Sequence, residues 1–401
     1  MADVIAGLRK SHAGALSQIP ERDKLDTVCT YLRMSHEEFD KLISENAPVY
    51  RTIKGHAFET AFDALLSRNR YLAQEVGGDS EIDRRINGHS LQLKTCTEAG
   101  TKAGTVQYKT HKTHGAKSET ESMDYYHRAA HFADFLVGLV SYKPLRLLVL
   151  KGEEIPRHPK SRQHLLSPFS VKWECHPALN AFDRLGVHLK DLRCAEPKAN
   201  GEILPLTSKK LGLASGIILD TILNLQNFRI WDMSIRGFAR EAVFRRLAQG
   251  MGLDMRRPEE LRRDRADKAD HGLTTKAGVV FLQMKGVSTN NCDFTKEDPV
   301  LATETQLTRG RVNDHPTQSR LYQAKDFDYL VLGMDPAVVH ACHPPAKPRT
   351  EGWDWEFYVI PSAQLERHHV FPNRYKTLQK FTYKGLQKYK FTAKSHMFKP
   401  D

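Results

Sequence analysis

Two short runs carry the same pair of side chains. HSLQLKT (residues 89–95) holds Gln92 and Lys94, and VVFLQMKG (residues 279–286) holds Gln283 and Lys285. In a strand alternate side chains share a face, so each glutamine projects with its lysine while the flanking apolar residues point the other way. Taken alone, either run reads as an ordinary half-buried strand. Each is preceded, however, by an acidic residue at the start of a hairpin, Asp83 or Asp270, and by a helix glutamate, Glu59 or Glu241. Such a set suits metal-assisted phosphodiester hydrolysis. A hard cation such as Mg²⁺ takes one or two carboxylates with retained waters and a phosphate oxygen. Asp83 would be the main ligand, with the carbonyl oxygen of Gln92 completing the inner shell and Glu59 binding a second metal or ordering a water. Asp270, Gln283 and Glu241 would fill these roles in the second set. Lys94 and Lys285 would orient or help deprotonate the attacking water and stabilise charge on the phosphate. Asp83 competes with Asp79 and Glu81, and Asp270 with Asp264 and Asp267. Glu59 and Glu241 have a plainer reading as helix residues in ordinary ion pairs.

The two sets belong to a longer internal match. KGHAFETAF (residues 54–62) aligns with RGFAREAVF (236–244), LQLKT with LQMKG, ADFLVG (133–138) with FDYLVL (327–332), LLVLKGEEIPRH from Leu147 with FYVIPSAQLERH from Phe357, and FSVK (169–172) with FTYK (381–384). The offset only grows: 182 residues from Gly55 to Gly237, 191 from Lys94 to Lys285, 194 from Asp134 to Asp328, 210 from Leu147 to Phe357 and 212 from Phe169 to Phe381. A steadily rising offset describes collinear copies with loop insertions in the second. The copies would span 1–195 and 205–401, joined by the polar stretch AEPKANGEILPLTSKK, with the linker at about 195–205.

Each copy must supply the same positioning elements. A helix comes first, over residues 36–68 in one copy and 234–251 in the other, where Ala239, Val243 and Leu247 fall on one face. A hairpin follows. Asn87-Gly88 in the first copy is the dipeptide best suited to a two-residue turn, while the second has a longer turn containing Lys276 and Gly278. A polar loop then leads to two apolar strands, DFLVGLV and RLLVL, matched by DYLVLGM and EFYVI. The order describes an α/β fold: two tandem domains, each a mixed β-sheet flanked by α-helices.

Composition bounds the partners. The 401 residues include 60 Lys and Arg against 48 Asp and Glu, a net charge of +12 that favours a polyanion. In the loops after each lysine strand, Lys109, Lys112, Arg309 and Arg311 are the candidate DNA contacts. No signal peptide or membrane-length apolar run is present, which points to the cytoplasm and no membrane partner. Six scattered cysteines without a CxxC pair read as reduced thiols. Without a P-loop, dinucleotide fingerprint or nucleophile elbow, no nucleotide cofactor is expected.

The helix glutamate, hairpin aspartate and polar-x-Lys strand, found twice, resemble the PD-(D/E)xK nuclease superfamily, the fold of many type II restriction endonucleases. The resemblance implies two tandem restriction-endonuclease-like domains and a Mg²⁺-dependent, sequence-specific DNA endonuclease. Two active sites in one chain would let a monomer act as a pseudo-dimer on both strands of double-stranded DNA. Its functional positions are Glu59, Asp83, Gln92 and Lys94, then Glu241, Asp270, Gln283 and Lys285. Both copies depart from the usual pattern by carrying glutamine where an acidic residue precedes the lysine. The alternatives are a modification-dependent or repair nuclease, and a DNA-binding protein whose nuclease folds no longer cut.

Overall fold

The computed structural model of the chain describes residues 19–76, 82–96, 104–110, 126–192, 197, 201–223, 230–256, 269–275, 278–307, 321–343 and 353–392. These fall into two compact units. Among the described residues, the N-terminal unit holds 19–25 and 36–231, and the C-terminal unit holds 26–35 and those from 232 onward. Helix α1 (Glu21–Leu32) therefore passes from one to the other.

In the N-terminal unit the helical stretch expected over 36–68 is two helices, α2 (His36–Glu45) and α3 (Ala47–Arg68). The break is local chemistry. The Asn46 side chain accepts a bond from the Val49 N–H at 3.2 Å, an N-cap, and Pro48 sits in the first turn where its missing N–H is harmless. Helix α3 buries Ile53, Ala57, Phe58, Ala61, Phe62 and Leu65. The sheet runs β1 (Gln74–Glu75), β2 (Arg84–Ile86), β3 (His89–Thr95), β5 (Phe135–Tyr142), β6 (Leu145–Lys151), and only β3 with β5 is parallel. Asn87 and Gly88 both take positive φ, 48° and 83°, as the tight turn between β2 and β3 requires. Strand β4 (Thr105–Tyr108) pairs with β9 (Phe169–Lys172), and β7 (Arg157–His158) with β8 (Ser161–Leu165), outside the main sheet.

Two further helices, α4 (Pro205–Leu211) and α5 (Ser215–Leu223), pack in this unit on α2 and α3, although the polar linker places them at the start of the second repeat. Buried Asp40 of α2 explains the docking. Its carboxylate accepts bonds from the Leu206 and Thr207 N–H groups at 2.8 and 2.9 Å and from the Thr207 hydroxyl at 2.6 Å, capping α4 from a different helix. No side chain of α4's own N-cap does so.

The C-terminal unit enters through a π turn, Ile230–Ile235, into α6 (Arg236–Gly250). The buried face of α6 is Ala239, Val243, Phe244 and Ala248, while Leu247, expected on it, is 38% exposed. Its sheet runs β10 (Met255–Arg256), β11 (His271–Thr275), β12 (Gly278–Gly286), β14 (Tyr329–Met334), β15 (Glu356–Pro361). The pairing senses repeat those of the first sheet, with β12 and β14 parallel and the rest antiparallel. Gly278, expected in the hairpin turn, lies in β12, because the β-branched pair Thr274-Thr275 carries β11 on to pair with Gly278 and Val279. Strand β13 (Val300–Glu304) pairs with β16 (Leu378–Thr382), and α7 (Pro336–Ala341) and α8 (Tyr383–Leu386) complete the described elements.

Registers correspond as well as order. Arg84 pairs with Leu91 and His271 with Leu282, Lys94 with Gly138 and Lys285 with Leu332, Phe135 with Lys151 and Tyr329 with Pro361. Each parallel pair is clasped at its start by an aspartate. Asp134 accepts from the Ser90 N–H and Asp328 from the Phe281 N–H, both at 2.8 Å. Because the capping of α4 rests on Asp40, Asp40→Ala should lower the stability of the N-terminal unit by about 1–2 kcal/mol, read as a reduced urea midpoint.

Candidate active site

The hairpins bring three of the four expected residues together in each unit. In the N-terminal unit Asp83 extends the ladder by donating its N–H to the Leu91 carbonyl at 2.8 Å. Its carboxylate Oδ2 turns back to accept the Gln92 amide Nε2 at 2.6 Å and the Leu93 N–H at 2.7 Å. Gln92 is only 4% exposed, so this donation satisfies a buried amide. It also fixes the amide orientation: the nitrogen faces Asp83, and the carbonyl oxygen expected to ligate a cation points away from it. Lys94 follows on the same face, half-buried. Burial pushes the Asp83 carboxyl above its ordinary pKa, opposed first by the charge of Lys94.

Glu59 approaches from α3. It lies 3.4 Å from His56 Nδ1 and 3.6 Å from Arg84, whose guanidinium also pairs with Asp63 at 2.9 Å and Glu75 at 3.9 Å. Arg84 is buried beside Asp83 in sequence and so places one cation among three carboxylates.

The C-terminal unit repeats the hairpin geometry. Asp270 donates its N–H to the Leu282 carbonyl at 3.0 Å and accepts Gln283 Nε2 at 2.5 Å and the Met284 N–H at 2.7 Å. Gln283 is 3% exposed. Lys285 donates to the Gln306 carbonyl at 3.2 Å and lies 5.1 Å from the centre of the buried Tyr322 ring. Burial pulls the Lys285 ammonium below its usual pKa, against the upward pull of Asp270. Burial and the Asp270 charge together push Glu241 up to about 8, and burial pushes Asp270 up as well. His271 takes the position of Arg84 and reaches Glu241 at 4.0 Å.

Gln92 pairs in register with Leu136 and Gln283 with Leu330, members of two hydrophobic clusters. On the polar face read from alternation both glutamines are therefore buried, while Lys94 and Lys285 are half-buried. Of the other expected residues, Lys109 is exposed after β4, while Lys112, Arg309 and Arg311 lie outside the described residues, as do the competitors Asp79, Glu81, Asp264 and Asp267. Sequence reading missed Arg84, His271, Arg240 and Tyr322. The first two had a usable signal, since each directly follows its hairpin aspartate.

Among the described residues no three His, Cys, Asp or Glu side chains converge as a metal site. The donor set in each unit is instead one Asp and one Glu. The two carboxylates repel: the Glu59 charge adds to the upward push on Asp83, and the Asp270 charge to that on Glu241, and a hard cation with mostly water and phosphate ligands fits such a pair.

No family model matches this sequence, and no curated protein matches it either. Among solved structures, a bacterial homing endonuclease aligns at 17% identity over 40% of this chain and 78% of its own, with a TM-score of 0.20. A correspondence that loose does not define a shared fold. No described helix is long and apolar enough to cross a membrane.

The raised Glu241 has a measurable consequence. Below about pH 4.5 it is protonated whether the chain is folded or not; between there and about pH 8 the unfolded chain ionises it while the folded unit keeps the proton. That contribution to stability is thus present at low pH and lost as pH rises through this window. Wild-type protein should show a falling urea midpoint from pH 5 to pH 8, and Glu241→Gln should flatten that slope.

Proposed function

We propose that this chain is a Mg²⁺-dependent DNA endonuclease of the PD-(D/E)xK, restriction-endonuclease-like kind, with one hydrolytic site in each unit. The observation that carries this reading is the same constellation built twice at the same sheet position. In each, a hairpin aspartate is held by a glutamine amide and a main-chain N–H, with a lysine two residues on and a helix glutamate close by. The net charge of +12 supports a nucleic-acid substrate.

Within this reading Asp83 with Glu59, and Asp270 with Glu241, hold the cation. A bound Mg²⁺ supplies Lewis-acid stabilisation of the charge that builds on the phosphate. Gln92 and Gln283 act on the aspartates, keeping one oxygen occupied by two donors so that the other faces the site. Lys94 and Lys285 orient the attacking water and neutralise the phosphate. Burial lowers the Lys285 pKa, which eases proton transfer from that water to its amine. Because duplex strands are antiparallel, one site per strand gives a double-strand break from a single chain.

The test is plasmid cleavage with and without Mg²⁺. Wild-type protein should linearise the plasmid only with the metal, whereas Lys94→Ala and Lys285→Ala should each stop at nicked circles. Undiminished linearisation by either variant would overturn the two-site reading. Salt-sensitive binding with no Mg²⁺-dependent cutting would point to a DNA-binding protein instead. Independently of cutting, Mg²⁺ at pH 8 should raise the urea midpoint of the C-terminal unit, and Asp270→Asn should abolish that rise.

A further inference from the structure

We propose that Arg240 is a phosphate-binding residue of the C-terminal site, gripping the phosphodiester through its guanidinium, a role that Phe58 at the corresponding position of the N-terminal unit does not fill. The proposal deepens the nuclease reading above and rests on it for the identity of the phosphate as part of DNA.

Arg240 lies on α6, one residue before Glu241. Its side chain is laid in a trough made by two glycines. A Cβ added at Gly286 would come within 2.3 Å of the Arg240 guanidinium, and one added at Gly333 within 2.4 Å of Cδ. Gly286 and Gly333 are direct register partners on the parallel strands β12 and β14, on the sheet face opposite to Gln283 and Lys285. Neither has a positive φ, so backbone conformation does not call for glycine at either position. Space for Arg240 does.

The N-terminal unit shows the alternative. The residue corresponding to Arg240 is Phe58, and the register partners corresponding to Gly286 and Gly333 are Thr95 and Leu139. Phe58 and Leu139 are 2% and 3% exposed, two buried apolar side chains where the other unit has an arginine and a glycine. Three positions far apart in sequence therefore differ together. In one copy they form ordinary core; in the other they form a slot shaped around a guanidinium.

The slot does not satisfy what it holds. Arg240 Nε is buried and has no hydrogen-bond partner among the described residues, although a guanidinium carries five N–H donors. The residue as a whole is only half-buried. Its charge acts on Glu241, the next residue of the helix, and on Asp270 and Lys285. A phosphate matches a guanidinium's planar fork and its charge, better than it matches a lysine ammonium. The N-terminal unit spends its nearest guanidinium, Arg84, on Glu59, Asp63 and Glu75.

The test uses the full chain and two readouts. In NMR spectra the Arg240 Nε–H resonance, assigned by its loss in Arg240→Lys, should shift on titration with dimethyl phosphate. In plasmid cleavage Arg240→Gln, which removes the charge but keeps a polar side chain, should accumulate nicked circles, with second-strand cutting slowed about tenfold or more. A resonance unmoved by dimethyl phosphate overturns the proposal, and so does Arg240→Gln linearising at the wild-type rate. If wild-type protein cuts no DNA yet the resonance shifts, the phosphate site stands and the nuclease reading falls.

Discussion

A carboxylate drawn in against a sheet must be met by donors, and in both units the same two meet it. One is the amide of a glutamine across the hairpin, the other the N–H of the residue after that glutamine. Leaving such a buried group unpaired costs about 1–3 kcal/mol, more if it is charged. The hairpin register, the tight Asn87-Gly88 turn and the parallel pairing of β3 with β5 all serve to put those donors there. The clasp also accounts for glutamine at a position where the resemblance leads one to expect an acid. An acidic residue would set a second carboxylate 2.6 Å from Asp83, and like charges that close cannot both ionise without a cation between them. Glutamine keeps the aspartate in place by itself.

The two units share this clasp and then diverge in how they balance charge. Arg84 settles among three carboxylates in the N-terminal unit, including Glu59. In the C-terminal unit histidine stands at that position, Lys285 lies over Tyr322, and the arginine comes from the helix instead. The stronger burial there pushes Asp270 and Glu241 up and Lys285 down together. A common scaffold thus carries two electrostatic environments.

Much of the scaffold was legible from particular residues. Asn87-Gly88 marked its turn, the apolar runs at 134–140 and 146–150 became β5 and β6, and the rising offsets reappear as matched strand registers. Other features were hidden because local pattern does not report them. The break at Asn46 depends on a cap and a proline inside a continuous helical pattern. Leu247 lies at helical spacing from Val243 but off the packed face. The docking of α4 is decided by Asp40, more than 160 residues earlier in the chain.

By itself the sequence determined the alternation that puts Gln92 with Lys94 and Gln283 with Lys285, the order of elements in each repeat, and the positive charge of the whole. These follow from spacing and composition, which are properties of the chain before it folds. Tertiary structure decided what the polar side chains meet. It turned each glutamine toward an aspartate, buried those glutamines against apolar clusters, and paired Gly286 with Gly333 beneath Arg240. Strand pairing across a parallel crossover sets those neighbours, and no spacing within one segment encodes it.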